Sequence, residues 1–410
     1  MTKKLFPIQT ATSCQLKWAW STLYLNSGTT ASCHRTSFSQ LTSENFNNFH
    51  NHPQKIQDRE DMLAGRWPKT NCSYCRKIEE QGGTSDRIRQ FNIPNLTPPE
   101  VDNNLTATHI TPQIVEVYFS NFCNLGCLYC NPDLSSTIEM ENRKFGEFKQ
   151  GSIHLEIKDR HAQDFIPIFW EWFPKGFPKI KRFHILGGEP LLQKEFDTLL
   201  DMIDQYPNKE CELNVVTNLM LPMERLEQYI EKTKRLIAKK KIRQFDITCS
   251  LDCWGAEQEY VRYGLDLNIW QRNFERLLKE KWLILNINQT ISALTIKTMP
   301  QLLKLINIWR KEHTVNQWFS GVTPDPTYMK CGIFGNLEYS DTTEEILSLM
   351  PQTTEQEQLA HSYMKGILTE CQTPDYQEIN NLIIFLNEKD RRRNTNWRTV
   401  FPWIRKYESK

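Results

Sequence analysis

Three cysteines crowd into one short loop of this chain, Cys123-Asn124-Leu125-Gly126-Cys127-Leu128-Tyr129-Cys130, with C-x3-C-x2-C spacing. Three thiolates so placed can ligate three irons of a 4Fe–4S cube and leave the fourth iron open to a substrate or cofactor. A structural zinc closes its shell with four ligands, and no fourth Cys or His follows nearby. Chance clustering is the remaining alternative. Four further cysteines precede residue 76: Cys14, Cys33, and the C-x2-C pair Cys72 and Cys75. Four thiolates from separated segments can close a second 4Fe–4S cluster or an all-cysteine zinc site. On spacing alone zinc leads, because C-x2-C is the common zinc-knuckle turn. Of the other cysteines, Cys211 and Cys249 read as core, Cys371 carries no assignment, and Cys253, which directly follows Asp252, shares with Cys331 a reading left open between a reactive thiol and a buried small hydrophobe.

The elements that must hold these residues can be read from periodicity. Short β-branched and aromatic runs predict strands at 114–119, 180–186, 211–217, 245–251, 283–291 and 317–322. Helices are predicted between them at 163–172, 191–205, 222–240, 267–281 and 299–312. Such repetition argues for βα units on a parallel sheet. Six strands are too few for the closed eight-stranded barrel, so the expected fold is α/β, an open partial (β/α)6 TIM-type barrel, with a doubly wound sheet as the alternative. Both architectures place chemistry in the loops after the strands. The three-cysteine loop follows the first strand, Gly187-Gly188-Glu189-Pro190 the second, Thr217-Asn218 ends the third, and Ser250-Leu251-Asp252 the fourth. Three parts are expected: a small cysteine-rich domain over 1–100, the barrel over 101–322, and a mostly helical extension over 323–410 with a terminal helix around 379–393. Pro94, Pro98 and Pro99 mark a linker, and 323–327 a boundary loop.

C-x3-C-x2-C with an aromatic, Tyr129, before the last cysteine, at the end of the first strand of a six-stranded βα array, resembles the radical S-adenosylmethionine (SAM) superfamily. Gly187-Gly188-Glu189 after the second strand resembles that family's GGE motif. The resemblance covers residues 112–322. It implies a 4Fe–4S cluster on Cys123, Cys127 and Cys130, whose open iron is chelated by the amino and carboxylate groups of SAM. One electron then cleaves SAM to a 5′-deoxyadenosyl radical, which abstracts hydrogen from a substrate. Tyr129, Gly187, Gly188, Glu189, Thr217, Asn218, Ser250 and Asp252 are the implied SAM-binding residues, Glu189 accepting from the amino group. Pro190 suits the first position of the following helix. Asp252 is equally readable as a helix N-cap.

The N-terminal string C-x13-G-x4-C, from Cys14 through Gly28 to Cys33, resembles the opening of the auxiliary-cluster module of SPASM and twitch enzymes in the same superfamily. Four ligands rather than the full SPASM set favour twitch, with Cys14, Cys33, Cys72 and Cys75 around a second 4Fe–4S cluster. In the family this module usually follows the barrel, whereas here it precedes it. Cys253 is a candidate hydrogen donor to a substrate radical; a buried small hydrophobe is the plainer reading. His34, next to Cys33, reads as a surface or capping residue.

The 50 Lys and Arg against 49 Asp and Glu give a net charge of +1, too little to recruit nucleic acid or an anionic membrane by itself. Two basic stretches, 234–243 and 391–406, are the only features suited to RNA or DNA. No apolar run approaches the roughly 20 residues that span a bilayer, and the start lacks a signal-peptide core, so a cytoplasmic enzyme without membrane contact is expected. The resemblance implies a peptide or protein substrate and an electron donor such as flavodoxin or ferredoxin. The alternatives are modification of a nucleotide or nucleic acid, and a non-catalytic iron–sulfur sensor.

Overall fold

The computed structural model describes residues 10–69, 72–80, 82, 85–89, 108–150, 153–154, 160–321, 326–369 and 373–408. The linker prolines Pro94, Pro98 and Pro99, most of the 323–327 boundary loop, and Cys371 lie outside the described residues. The chain divides into two compact units, one of Met1–Ser120, Lys158–Val215 and Glu231–Phe245, the other of Asn121–Ile157, Val216–Ile230 and Asp246–Lys410.

In the first unit, Ile114–Tyr118 pairs in parallel with Arg182–Leu186 on one side and with Trp20–Tyr24 on the other. Arg182–Leu186 in turn pairs in parallel with Asn208–Thr217. Register puts Leu23, Val115, Val117, Phe183, Ile185, Leu213 and Val215 on one face, all buried. Onto that face the Ala162–Gly176 helix packs Phe169 and Phe173, whose rings lie 6.4 and 6.0 Å from that of Phe183. Each such buried aromatic contributes about 1.5–3 kcal/mol by leaving water, and ring pairing adds about 0.5–1.5 kcal/mol. The opposite face carries Trp20, Thr22, Tyr24, Glu116, Tyr118 and His184, a polar and aromatic set.

The Trp20–Tyr24 strand is a departure from the sequence reading, which shows no strand alternation before residue 100. Its middle residues are buried on both faces, so hydrophobic alternation has nothing to report. From it a hairpin runs through Gly28, at φ 62°, into the antiparallel strands Thr29–Ala31 and Ser39–Gln40. A Cβ on Gly28 would lie 2.5 Å from a Phe165 ring carbon, which explains the glycine of the C-x13-G-x4-C string.

In the second unit, Ile242–Ser250 (from Asp246 onward), Ile284–Ile291 and Val315–Gly321 form a parallel three-stranded array. Leu267–Leu277 and Met299–Trp309 are the intervening helices, and Ser340–Leu349, Glu355–Thr369 and Tyr376–Arg393 follow. All six expected strands are present as Ile114–Tyr118, Arg182–Leu186, Asn208–Thr217, Ile242–Ser250, Ile284–Ile291 and Val315–Gly321. The result is a mixed α/β fold with parallel strands. Among the described residues no helix is long and apolar enough to cross a membrane.

Candidate functional site

The three-cysteine loop is fixed by its own polar groups. Ser135 caps the Ser136–Phe145 helix, accepting from Ile138 N–H, and donates its hydroxyl to the Leu125 carbonyl at 2.8 Å. Thr137 donates to the Cys123 carbonyl at 2.8 Å, and Cys123 N–H donates to Ser136 Oγ at 3.1 Å. Gly126–Cys127 pairs antiparallel with Arg262–Tyr263, and Leu128 N–H donates to the Val261 carbonyl at 2.8 Å. These bonds hold the loop together with the burial of its Leu125 and Leu128.

At the end of the Asn208–Thr217 strand the chain turns sharply. Leu219 takes a left-handed φ of 60°, and its N–H donates to Thr217 Oγ1 at 2.9 Å. Met220 N–H donates to Asn218 Oδ1, while Asn218 Nδ2 donates to Asn124 Oδ1, both at 2.8 Å. The same Nδ2 stands 3.8 Å from Cys123 Sγ, and Leu125 N–H stands 3.5 Å from it. Two N–H groups are thus aimed at one sulfur.

Burial pushes the Cys130 thiol up, and charge on Cys127 and Cys123 pushes it further. Burial likewise raises Cys127, with Arg262 pulling against it. The three sulfurs thus share one electrostatic neighbourhood, in which a bound cation would relieve the repulsion among thiolates. Among the described residues no group of three or more His, Cys, Asp or Glu stands ready-made around a single ion. A cluster asks for less convergence, since each thiolate binds a different iron. The donor set therefore fits an iron–sulfur group.

Asp252 is fully buried and saturated. Oδ2 accepts from Tyr129 Oη at 2.7 Å and Arg262 Nε at 2.9 Å; Oδ1 accepts from Arg262 Nη2 and Thr290 N–H, each at 2.8 Å. A carboxylate has about four lone-pair sites, so nothing is left for a ribose hydroxyl. The Tyr129 hydroxyl donates its proton to that carboxylate and keeps its acceptor lone pairs. Asp252 and Tyr129 thereby brace the cysteine loop. Nor does Asp252 cap the next helix, whose N-cap is Gly255. Arg262, the other half of the brace, gave no signal in sequence, because its partner lies in a different element and no local pattern links them. Ser250 is buried and in register with Asn288. Cys253 is fully buried and its thiol is held protonated by burial, as a core residue would be.

In the first unit, Cys14 and Cys72 lie in one buried cluster with Leu16, Trp18 and Met62, and Cys33 packs against it. Burial, then charge on Cys33 and Cys72, lifts the Cys14 thiol to about 12. Burial lifts Cys72 to about 12 as well, with Lys17 opposing and Cys33 and Cys75 adding. Cys33 acts electrostatically on Cys14, Cys72 and Cys75, while among the described residues no group of three or more His, Cys, Asp or Glu is placed to hold one metal ion. Lys17 is buried among them and ion-paired with Asp58, a cation beside a potential cluster of thiolates.

Gly187 has φ 84° and a Cβ on it would lie 2.5 Å from Tyr118 Cδ1, so that position demands glycine; Gly188, at φ 58°, sits in the left-handed region that favours it. Glu189 is buried and caps the Pro190–Leu192 turn, accepting from Leu191 N–H at 3.1 Å; Pro190 opens that turn as expected. His34 is exposed, in line with its surface reading, and makes specific contacts. Its Nε2 lies 3.3 Å from the buried Glu116 carboxylate, and Trp20 meets both His34 and His184 edge-on. Glu116 went unnoticed in sequence, although a lone acid in an apolar strand, Ile-Val-Glu-Val-Tyr, was the available sign.

Arg392 and Arg393 of the C-terminal basic stretch are buried, whereas Arg391, Arg405 and Lys406 are exposed. Lys389, Arg392 and Arg393 converge on Glu141, and Arg391 and Arg392 pair with Glu388. In the other stretch, Lys241 pairs with Asp204 and Arg243 with Glu212.

No protein-family model matches the chain, and no curated protein matches its sequence. Solved structures do match. SuiB of Streptococcus suis bound to precursor peptide SuiA is 15% identical, with TM-score 0.38 over 68% of this chain and 59% of that one. SuiB bound to S-adenosylmethionine is 16% identical, TM-score 0.38, over 72% and 63%. Native anSMEcpe with bound AdoMet and Kp18Cys peptide is 17% identical, TM-score 0.36, over 58% and 59%. The chain thus spans about three fifths of the length of these proteins. With TM-scores below 0.5, these likenesses decide nothing about chemistry.

Proposed function

We propose that this chain is a radical SAM enzyme that modifies a side chain of a peptide or protein, built on a partial (β/α)6 barrel with a twitch-like auxiliary cluster on its N-terminal cysteines. The observation that carries the reading is the three-cysteine loop itself: three thiols on one braced loop, mutually coupled, with N–H groups aimed at Cys123 Sγ. Cys123, Cys127 and Cys130 would hold the first 4Fe–4S cluster, and Cys14, Cys33, Cys72 and Cys75 the second. When bound, the first cluster and SAM supply reductive sulfonium cleavage and hydrogen abstraction from an unactivated C–H bond.

The chain's own contribution is to orient and to shield. Tyr129, Asp252 and Arg262 hold the loop, and the Thr217–Met220 turn holds Asn218 against it. On its motif alone, Glu189 is assigned the SAM amino group, with Gly187 and Gly188 allowing close approach. Lys17 offsets the negative charge that four thiolates bring to the auxiliary site. The peptide substrate rests on the likeness of the N-terminal half-motif to modules of peptide-maturing enzymes. The nucleic-acid alternative rests on the basic residues that stay outside, such as Arg391, Arg405 and Lys406, and not on the buried Arg392 and Arg393.

The test is anaerobic reconstitution followed by incubation with SAM and dithionite. About eight irons and eight sulfides per chain, for two 4Fe–4S clusters, and release of 5′-deoxyadenosine are expected. About four irons with one zinc would reduce the N-terminal site to a structural one, and no 5′-deoxyadenosine would defeat the reading.

A further inference from the structure

Arg393 ends the Tyr376–Arg393 helix with its side chain only 3% exposed. Its Nε donates to Glu141 Oε2 at 2.6 Å, and its guanidinium lies 4.7 Å from the Tyr263 ring centre. Glu141 is shared with Lys389 and Arg392, so one carboxylate answers three cations. Among the described residues, neither Nη1 nor Nη2 of Arg393 has a hydrogen-bond partner. Buried donors left unpaired are costly, the more so on a charged group, and such a group calls for an explanation.

The direction of these nitrogens supplies one. Nη2 lies 3.1 Å, and Cζ 3.6 Å, from where a Cβ on Gly126 would stand. Gly126 directly precedes Cys127, so the glycine of the C-x3-C-x2-C loop makes room for a guanidinium against the backbone of the loop. Charge on Arg393 also reaches the Cys127 thiol. Arg262 acts on that thiol too, but its charge is matched by the bidentate carboxylate of Asp252. Of these two arginines, Arg393 is the one whose Nη donors stay unpaired among the described residues.

We propose that Arg393 is a positioning residue for an anionic iron–sulfur group on the Cys123–Cys130 loop, its two free Nη groups donating to Cys127 Sγ or to a cluster sulfide. This rests on the cluster reading of that loop. Adding one electron makes the group more negative, so a fixed guanidinium stabilises the reduced form over the oxidised and raises the reduction potential. The assignment gives the C-terminal extension a role that its sequence did not suggest.

An EPR-monitored redox titration of the reconstituted full-length protein tests it, comparing wild type with R393Q, R393K and E141Q. The loop cluster's signal is the one missing when Cys123, Cys127 and Cys130 are all replaced by Ala. At the potential where the wild-type loop cluster is half reduced, R393Q should show a reduced-to-oxidised ratio about tenfold lower. R393K keeps a cation for Glu141 but loses the fork, so its ratio should fall by less; it also serves if R393Q does not fold. E141Q breaks the same ion pair yet keeps the guanidinium, and its ratio should hold or rise. Equal shifts in R393Q and E141Q would reduce Arg393 to a tether for its helix and overturn the inference. So would superimposed titrations of R393Q and wild type, with the cluster reading intact. Absence of the loop signal from wild type defeats the cluster reading and this inference with it.

Discussion

The phenol of Tyr129, set between the second and third cysteines of its loop, donates a 2.7 Å hydrogen bond to the buried carboxylate of Asp252, 123 residues further along the chain. The same carboxylate takes both arms of Arg262, whose strand pairs with Cys127. One acid therefore ties two points of the cysteine loop together from the end of a sheet strand.

Breaking that tie should be expensive. Asp252→Asn leaves the Arg262 guanidinium buried without its counter-charge and should cost about 3–5 kcal/mol. Tyr129→Phe removes one hydrogen bond to a charged group, about 1.5–3 kcal/mol. Urea unfolding of the metal-free protein measures both. Values within about 0.5 kcal/mol of wild type, as for a surface change, would remove the brace from the account.

The N-terminal thiols set an alkaline limit on the metal-free protein. Folding raises Cys14 and Cys72 to about 12, above the ordinary thiol value of 9.0. The folded state thus holds these protons more tightly than the unfolded one. Stability is complete below pH 9 and drains away as pH climbs toward 12, by up to about 1.4 kcal/mol per pH unit for each thiol. Denaturation midpoints between pH 8 and 11 should fall accordingly, and Cys14→Ser should flatten the slope. A midpoint independent of pH over that range would contradict the buried, coupled placement of these thiols.

Metal at the N-terminal site and the packing around it should stand or fall together. Replacing Cys14 or Cys33 by Ala should remove the auxiliary metal and loosen the cluster around Leu16, Trp18 and Met62. SAM cleavage without substrate should persist, while substrate turnover drops. A Cys14→Ala protein that loses auxiliary metal yet turns over substrate at the normal rate would make the module scaffolding.

Glu189→Ala should leave both clusters in place and weaken SAM binding by about 1.5–3 kcal/mol, the worth of one hydrogen bond to a charged group. Calorimetric titration of the reconstituted protein with SAM reads this directly. Unchanged affinity would confine Glu189 to capping the Pro190–Leu192 turn.

Much of this was legible from local pattern. Strands such as Ile114–Tyr118 and Ile284–Ile291 are legible through their β-branched and aromatic residues, and helices such as Leu267–Leu277 carry their own cap in Asp266. The cysteine spacing and the glycines at 187 and 188 were legible because chemistry and positive φ constrain residue type at fixed offsets. What was not legible is the long-range bonding. Asp252 stood out as a polar strand end, yet its partners Tyr129, Arg262 and Thr290 come from three other elements, and only tertiary structure shows its lone pairs filled. Arg393 reads in sequence as one of a surface basic run, since nothing in three consecutive arginines says which of them turns inward. Trp20–Tyr24 is hidden because its parallel partner, Ile114–Tyr118, lies more than ninety residues away.

The most direct measurement of the central claim is 5′-deoxyadenosine formed from SAM and dithionite by reconstituted wild type and by a variant with Cys123, Cys127 and Cys130 all changed to Ala. The account predicts product from the wild type, none from the variant, and retention of the N-terminal metal in both. Product from the triple variant would contradict the assignment of these three cysteines outright.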